Sequence, residues 1–118
     1  MIETSQQICG AEDDQEVAAL RSALIGPEQA AEIAQLFKAL SDPSRVRLIS
    51  VLARGEVCVH TLATLAGMSH SAVSHQLRSL RELRLVRARK AGRHVFYRLD
   101  DQHIARLFHA GVEHTSHA

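Results

Sequence analysis

Aromatic residues, cysteines and long apolar runs are all scarce in this chain. It has no tryptophan, one tyrosine and three phenylalanines in 118 residues, so smaller aliphatic side chains must fill its core. No apolar run approaches the roughly 20 residues of a membrane-spanning helix. The first residues, MIETSQQ, lack the basic and then apolar regions of a signal peptide. These absences predict a cytoplasmic protein with one domain and a modest core.

The charges of the chain are separated along its length, although the net charge is only +1. Residues 1–35 carry seven acidic residues and one basic residue, a net charge of −6. Residues 78–98 carry eight basic residues and one acidic residue, a net charge of +7. The acidic residues 1–15 are predicted to be a mobile arm, and residues 16–118 to form the folded domain. The basic block indicates a nucleic-acid partner, although a solvated surface is the simpler alternative.

Two helices separated by a glycine turn form the central pattern of the sequence. Helical spacing predicts helices over 16–25 and 27–40, and Asp42 and Pro43 are expected to cap and begin the next one, which Gly55 ends. A short helix over 59–65 is then followed by Gly67, and Ser69 is a candidate N-cap of a longer helix. This order is typical of a helix-turn-helix.

The second helix of this pair presents short polar and basic side chains suited to base edges and phosphates in a major groove. An ordinary amphipathic helix would more often carry Glu–Lys pairs there. The predicted DNA-binding residues of this segment are Ser69, His70, Ser71, Ser74, His75, Gln76 and Arg78.

A two-stranded hairpin with a basic tip is predicted directly after that helix. Val95, Tyr97 and Leu99 alternate with other residues, and Gly92 occupies the turn. A hairpin in this position is a wing, which rests on the sugar-phosphate backbone. The basic residues Arg89, Lys90 and Arg93 complete the predicted DNA-binding set.

The last helix, predicted over about 100–116, combines an apolar face with a row of metal-ligand side chains. His103 and His114 are eleven residues apart, roughly 16 Å along a helix, so one ion cannot join them. Asp101 with His103 and His114 with His117 therefore form two separate pairs. Two antiparallel copies of the helix would bring opposite pairs together, giving two four-ligand sites in a two-fold dimer. The alternative is a solvated, histidine-rich tail.

Three motifs together resemble the ArsR/SmtB family of metal-sensing repressors, and in particular its zinc-sensing branch. They are E-V-C-V at 56–59, S-A-V-S-H-Q-L-R-S-L-R at 71–81 and G-R-H-V-F-Y-R-L at 92–99, and the likeness extends over about 37–117. The resemblance implies a mainly α winged helix-turn-helix with a β-hairpin. It also implies a homodimer that binds operator DNA without metal and releases it when metal binds. Asp101, His103, His114 and His117 fall on the positions of the family's inter-subunit site.

The resemblance implies a second metal site between the E-V-C-V segment and the N-terminal arm. Cys58 and Cys9 match ligands of that site, and His60 or Asp13 would complete it. Thr61 stands where many members have Asp, which puts a full ligand set in doubt. Alternatively, Cys58 is a small buried apolar residue and Cys9 an ordinary thiol.

Zinc is the favoured metal, because three imidazoles and one carboxylate suit tetrahedral Zn(II). Nickel or cobalt would need two more ligands, and the two thiolates would tolerate Cd(II) or Pb(II). A thiol-based repressor that uses Cys9 and Cys58 is the alternative function, and a DNA-binding protein with vestigial metal sites is another. An enzyme is not expected, since four protein ligands leave zinc no open position.

Overall fold

The computed structural model describes residues 14–116, which form six helices and three strands. They fall into two units, residues 14–33 and 34–116. In chain order the elements are α1 (Asp14–Ala23), α2 (Pro27–Ala39), α3 (Pro43–Leu52), β1 (Val57–Cys58), α4 (Val59–Ala66), α5 (His70–Glu82), β2 (Val86–Ala91), β3 (His94–Leu99) and α6 (Gln102–Thr115). None of these helices is both long enough and apolar enough to cross a membrane. The predicted mainly helical chain with a hairpin is confirmed.

Side-chain caps set the starts of α3 and α5. The carboxylate of Asp42 accepts a hydrogen bond of 3.0 Å from the backbone N–H of Ser44, and Pro43 fills the first position of α3. The hydroxyl of Ser69 accepts one of 3.0 Å from the N–H of Ala72 at the start of α5. Each cap satisfies a backbone donor that has no partner inside the helix. Both predicted caps are therefore confirmed.

The sheet has three antiparallel strands in the order β1-β3-β2, whereas the sequence predicted two. Val57 pairs with Tyr97 and Cys58 with Phe96, so β1 adds a short third strand to the hairpin. A strand of two residues is too short to show the alternation by which strands are predicted. Gly92 lies in the hairpin turn with φ of 62°, a conformation that glycine adopts without steric cost.

The core of residues 34–116 forms where α3, α4, α5 and the sheet meet. Its most deeply buried large side chains are Leu48, Ile49, Leu62, Val73, Leu77 and Leu80. Helical spacing also predicts that Val46 and Leu83 face inward. Both predictions are wrong, because Val46 is 36% exposed and Leu83 is 40% exposed. Each lies toward an end of its helix, beyond the side chains that cover the middle of the core.

Helical spacing predicts a buried apolar stripe on α2, formed by Ala30, Ile33, Ala34, Phe37 and Leu40. Most of this stripe is exposed among residues 14–116. Ile33 is 37% exposed and Phe37 is 52% exposed, and Ala39 is the buried residue of this helix. Residues 14–33, taken alone, contain no buried side chain, and Leu20 and Leu24 are exposed there. The helical periodicity was read correctly, but among residues 14–116 most of the stripe stays exposed.

A tight joint connects α5 to the hairpin. Arg84 adopts a left-handed conformation with φ of 61°. The N–H of Leu85 donates to the carbonyl of Leu80, and the N–H of Arg84 donates to that of Arg81, both at 2.9 Å. This pair of bonds is the Schellman motif that ends many helices, with arginine where glycine is usual. The hairpin therefore begins in a fixed direction relative to α5.

Candidate functional site

The helix-turn-helix is formed by α4, a turn and α5. Gly67 caps α4 in the left-handed conformation, with φ of 65°. The buried residues of α5 lie on one face, which leaves the opposite face to solvent. Most of the predicted DNA-binding residues of this segment are exposed: Ser69, His70, Ser71, His75 and Arg78.

Two of the predicted residues of α5 are less accessible than this group. Ser74 is half-buried, and its hydroxyl lies 3.5 Å from the Nδ1 atom of His70. Gln76 is also half-buried, and its side-chain oxygen is buried without a hydrogen-bond partner among the described residues. The remaining exposed residues are therefore better placed than Gln76 to contact a ligand.

The wing carries its basic residues in two different settings. Lys90 and Arg93 are exposed next to the turn. The guanidinium of Arg89, in contrast, makes two hydrogen bonds to the carboxylate of Glu56, at 2.7 Å and 3.2 Å. It also lies 4.8 Å from the centre of the Phe96 ring. Of the three basic wing residues predicted to contact DNA, Arg89 already forms an ion pair within the chain.

A cleft of about 220 Å³ separates the start of α4 from α5 and the wing. It is lined mainly by basic and polar side chains, among them Cys58, His60, His70, Ser74, Arg78 and Arg93. Residues of the predicted second metal site and residues of the predicted DNA surface therefore share one cleft. Sequence spacing did not reveal this proximity, because it depends on how the hairpin folds back beside α5.

Asp101 is the N-cap of α6 as well as a predicted metal ligand. Its Oδ1 accepts hydrogen bonds from the backbone N–H groups of His103 at 2.8 Å and Ile104 at 3.4 Å. The Nδ1 atom of the His103 ring lies 3.3 Å from the same oxygen. Partial desolvation acts to raise the pKa of Asp101, but these hydrogen bonds outweigh it and hold that pKa below its ordinary value. The first predicted ligand pair is thus brought together, and the lowered pKa favours the ionised form of Asp101.

His114 lies in the last turn of the same helix and is exposed. Its predicted companion His117 lies outside the described residues. No group of three or more side chains able to ligate a metal occurs within residues 14–116. Asp101 with His103 at one end of α6 and His114 at the other are therefore what this part of one chain offers.

Cys58 is both the last residue of β1 and the N-cap of α4. Its backbone is extended, with φ of −79° and ψ of 157°. On a regular helix the side chains of Cys58 and His60 would point away from each other, but Cys58 lies before the first helical turn. The Sγ atom lies 3.2 Å from the hydroxyl oxygen of Thr61. This contact, together with nearby backbone N–H groups, lowers the pKa of the Cys58 thiol. His60 is exposed, and the other two residues predicted for this site, Cys9 and Asp13, lie outside the described residues.

An apolar groove of about 390 Å³ runs between the C-terminal end of α2, α3 and α6. Phe37, Ile49, Ile104, Phe108 and Val112 are among its lining residues. Of these, Phe37 is 52% exposed and Val112 is 45% exposed. The groove therefore includes Phe37, a residue of the α2 stripe whose burial was predicted wrongly.

Two ion pairs of the wing were not anticipated from the sequence. The Nε atom of Arg87 lies 2.7 Å from the carboxylate of Asp100, next to the cap of α6, and Arg89 pairs with Glu56 as described above. The available signal was a basic strand facing isolated acidic residues. Pairing partners this far apart in sequence follow only from the strand register.

These elements define a winged helix-turn-helix of the DNA-binding type. They are the polar recognition helix α5, the basic wing next to it and the glycine turn before it. Residues 42–88 match the model described as bacterial regulatory protein, arsR family. The chain belongs to this ArsR/SmtB family of transcriptional regulators, as the sequence predicted.

Three relatives are similar to this chain over most of its length. It is 46% identical over 100 residues to a transcriptional repressor SmtB homolog of Synechocystis, covering 85% of this chain and 76% of that protein. It is 43% identical to the regulator NmtR of Mycobacterium tuberculosis, covering 81% and 80%. It is 40% identical to a cadmium resistance regulatory protein CadC homolog of Staphylococcus aureus, covering 70% and 69%.

Solved structures agree with this assignment. The antimony-specific transcriptional repressor AntR superposes with a TM-score of 0.70 at 40% identity, covering 75% of this chain and 81% of that one. A homodimeric winged helix-turn-helix domain from Mycobacterium bovis superposes with a TM-score of 0.68 at 31% identity, covering 93% of each chain. The winged helix-turn-helix fold is confirmed by these matches.

Proposed function

We propose that the protein is a zinc-responsive transcriptional repressor that binds operator DNA as a metal-free homodimer and releases it when Zn(II) binds between the subunits. The observation that carries this proposal is the arrangement of α6. One continuous helix holds a ligand pair at its start and another ligand at its end, beside an uncovered apolar face. The names of the CadC and AntR relatives, which refer to cadmium resistance and to antimony, support a metal or metalloid effector.

A second copy of the chain is the proposed occupant of the apolar groove. The groove is bordered by exposed Phe37 and Val112, and burying such side chains is favourable by about 25 cal/mol per Å². A two-fold pairing of α6 helices would cover both grooves at once, since an isologous interface uses the same surface twice. The homodimeric state of the Mycobacterium bovis relative supports this pairing.

The same pairing would complete the metal sites. Asp101 and His103 of one subunit would meet His114 and His117 of the partner subunit, giving the four nitrogen and oxygen ligands that Zn(II) takes in a closed tetrahedral site. The contacts of Asp101 among the described residues all use Oδ1, which leaves Oδ2 for an ion. Zn(II), when bound, would supply the positive charge and the coordination bonds that tie the two subunits together at this point.

Coupling to DNA follows from differential binding. If the ion binds one arrangement of the dimer better than another, it shifts the population toward the first, and DNA must weaken zinc binding by the same factor. The chain connects the two sites through a short path, because Arg87 of the wing pairs with Asp100 and the N–H of Asp100 donates to Leu85 at 2.9 Å. A change at the α6 cap is thereby passed to the base of the wing.

Mixed dimers test the shared site directly. Homodimers of His103→Ala or His114→Ala have every site broken, so they should bind DNA normally but fail to release it with zinc. A mixed dimer of one His103→Ala chain and one His114→Ala chain concentrates both losses in one site and leaves the other intact. It should recover zinc binding at half the wild-type capacity and regain release.

Differently tagged chains, co-expressed and purified through both tags, would provide the mixed dimer. Release is followed by the anisotropy of a labelled operator selected from a random duplex library. His109→Ala is the matched control, because His109 is an exposed histidine of the same helix outside the proposed ligand set. A mixed dimer as unresponsive as its parent homodimers, or release that persists in both homodimers, contradicts the inter-subunit site.

A second candidate function rests on Cys58. Its thiol has a lowered pKa and lines the cleft beside the recognition helix, which suits a thiol that responds to oxidants together with Cys9. Disulfide formation on a non-reducing gel, with loss of DNA binding in zinc-free buffer, would support this candidate. An oxidant effect on Cys58→Ser as large as that on wild type would exclude it.

A further inference from the structure

An ion pair crosses the full width of the wing sheet. Arg89 belongs to β2, at one edge of the sheet, and Glu56 directly precedes β1, at the other edge. The guanidinium reaches Glu56 with Nη2–Oε1 of 2.7 Å and Nε–Oε2 of 3.2 Å, which is the two-pronged geometry of strong arginine–carboxylate pairs. It passes over the ring of Phe96 in the middle strand, 4.8 Å from the ring centre.

The strand register holds this arrangement in place. Arg89 lies opposite Phe96, and Phe96 lies opposite Cys58, so the three residues form one row across the sheet. Directly opposed residues of antiparallel strands share a face. The neighbouring Tyr97 points into the core, so this row is on the outer face. The arginine side chain is 55% exposed and the glutamate side chain 30% exposed, so a DNA strand at the wing can approach both.

The other bases near the wing turn are in a different position. Lys90 and Arg93 form no ion pair with a carboxylate among residues 14–116, whereas Arg89 is neutralised locally by Glu56. A carboxylate and a phosphate compete for the same planar fork of N–H donors. An arginine that is held by a carboxylate adds little to the attraction for a polyanion.

We propose that Glu56 withholds Arg89 from the DNA backbone, so that Arg89 positions the wing and Glu56 limits the affinity for DNA regardless of sequence. This inference rests on the proposed DNA-binding function and names a determinant of its strength. It assigns different roles to two residues of the same basic strand. Arg89 pairs with Glu56 across the sheet, whereas Lys90 and the nearby Arg93 face the phosphates.

Glu56→Gln tests this inference, because it removes the charge and keeps the shape. The freed Arg89 gains one phosphate contact, so the affinity for duplex DNA should rise about threefold to tenfold, and the slope of log K against log salt should steepen by about 0.9. Both effects should appear equally on a mixed-sequence duplex and on the selected operator. Fluorescence anisotropy over a range of NaCl concentrations measures both.

The double variant Glu56→Gln/Arg89→Gln is the key companion. It removes the pair without creating a free base, so its salt slope should return to that of wild type. Arg93→Gln is the matched control for a true phosphate contact, and its slope should become shallower by about 0.9. Circular dichroism should show all variants folded, since exposed ion pairs contribute little to stability.

Each outcome separates this inference from the function on which it rests. A wild-type protein that binds no duplex defeats the proposed function. Wild-type binding with an unchanged affinity and slope in Glu56→Gln defeats the role of Glu56 alone. A slope that becomes shallower by about 0.9 in Arg89→Gln alone shows that Arg89 contacts a phosphate despite Glu56, and this too overturns the inference.

Discussion

Helices α5 and α6 are almost equal in length, 13 and 14 residues, and both begin with a side-chain cap, yet they are stabilised differently. Helix α5 buries Val73, Leu77 and Leu80 completely. Helix α6 buries Ile104 and leaves Leu107 and Phe108 only partly covered. The recognition helix α5 buries its apolar face in the core of its own chain. Helix α6 leaves part of its apolar face uncovered among residues 14–116. This difference fits the proposed role of α6 in dimerisation.

The largest expected effect comes from truncating one apolar side chain on each helix. Leu77→Ala should lower the free energy of unfolding by about 2–5 kcal/mol, because it leaves a cavity in a filled core. Val112→Ala should change the stability of the monomer little but weaken dimerisation, since this side chain is 45% exposed in one chain. Urea unfolding and sedimentation at several protein concentrations would measure the two effects.

The comparison fails if the two variants behave alike. A dimerisation constant unchanged by Val112→Ala would mean that α6 does not lie in the interface. Leu77→Met serves as the conservative control, because it keeps the side-chain volume while changing its shape.

A smaller effect separates the two roles of the residue that begins α5. Ser69→Ala should destabilise the protein by about 1 kcal/mol through loss of the cap to Ala72. Ser69→Asp should keep the cap, because aspartate caps equally well, but should weaken DNA binding by placing a negative charge against the phosphates. Thermal unfolding and anisotropy on the same samples measure both. Equal DNA affinity in Ser69→Asp and wild type would place this end of the helix away from the DNA.

The smallest effect concerns the cap of α6. The folded-state pKa of Asp101 is lowered, so its contribution to stability is present above the ordinary aspartate pKa and is lost as the pH falls through the lower folded value. Asp101→Asn should keep the cap, lose zinc affinity and, in chelator, show a weaker dependence of stability on pH below about 4. Unfolding in urea across this range checks the prediction, and parallel curves for the two proteins would contradict it.

Local rules predicted most of the elements correctly because they depend on residues close in sequence. Asp42, Ser69 and Gly67 act through atoms within a few residues, so their roles as caps could be read directly. The helical spacing of α2 was also recognised. The burial of its apolar face was predicted wrongly, because periodicity identifies an apolar face without saying whether the same chain covers it.

Pairings distant in sequence could not be read in this way. Nothing near Glu56 indicates that Arg89 will reach it across a strand, and nothing near Cys58 indicates a two-residue strand against Phe96. Of the predicted zinc ligands, Asp101 and His103 lie side by side because α6 begins there. Whether the other pair joins them depends on a second molecule, which spacing alone can only suggest, so the four-ligand site stays a prediction.

Arg84, at the end of α5, bears on how the protein would distinguish one DNA sequence from another. Arg84 and the two hydrogen bonds around it set the direction in which the chain leaves α5, and so the orientation in which the hairpin begins. If α5 and the hairpin contact DNA together, as proposed, a fixed spacing between them would disfavour DNA whose groove width does not match. Loosening this joint should therefore broaden the range of accepted operators before it reduces the affinity for any one of them.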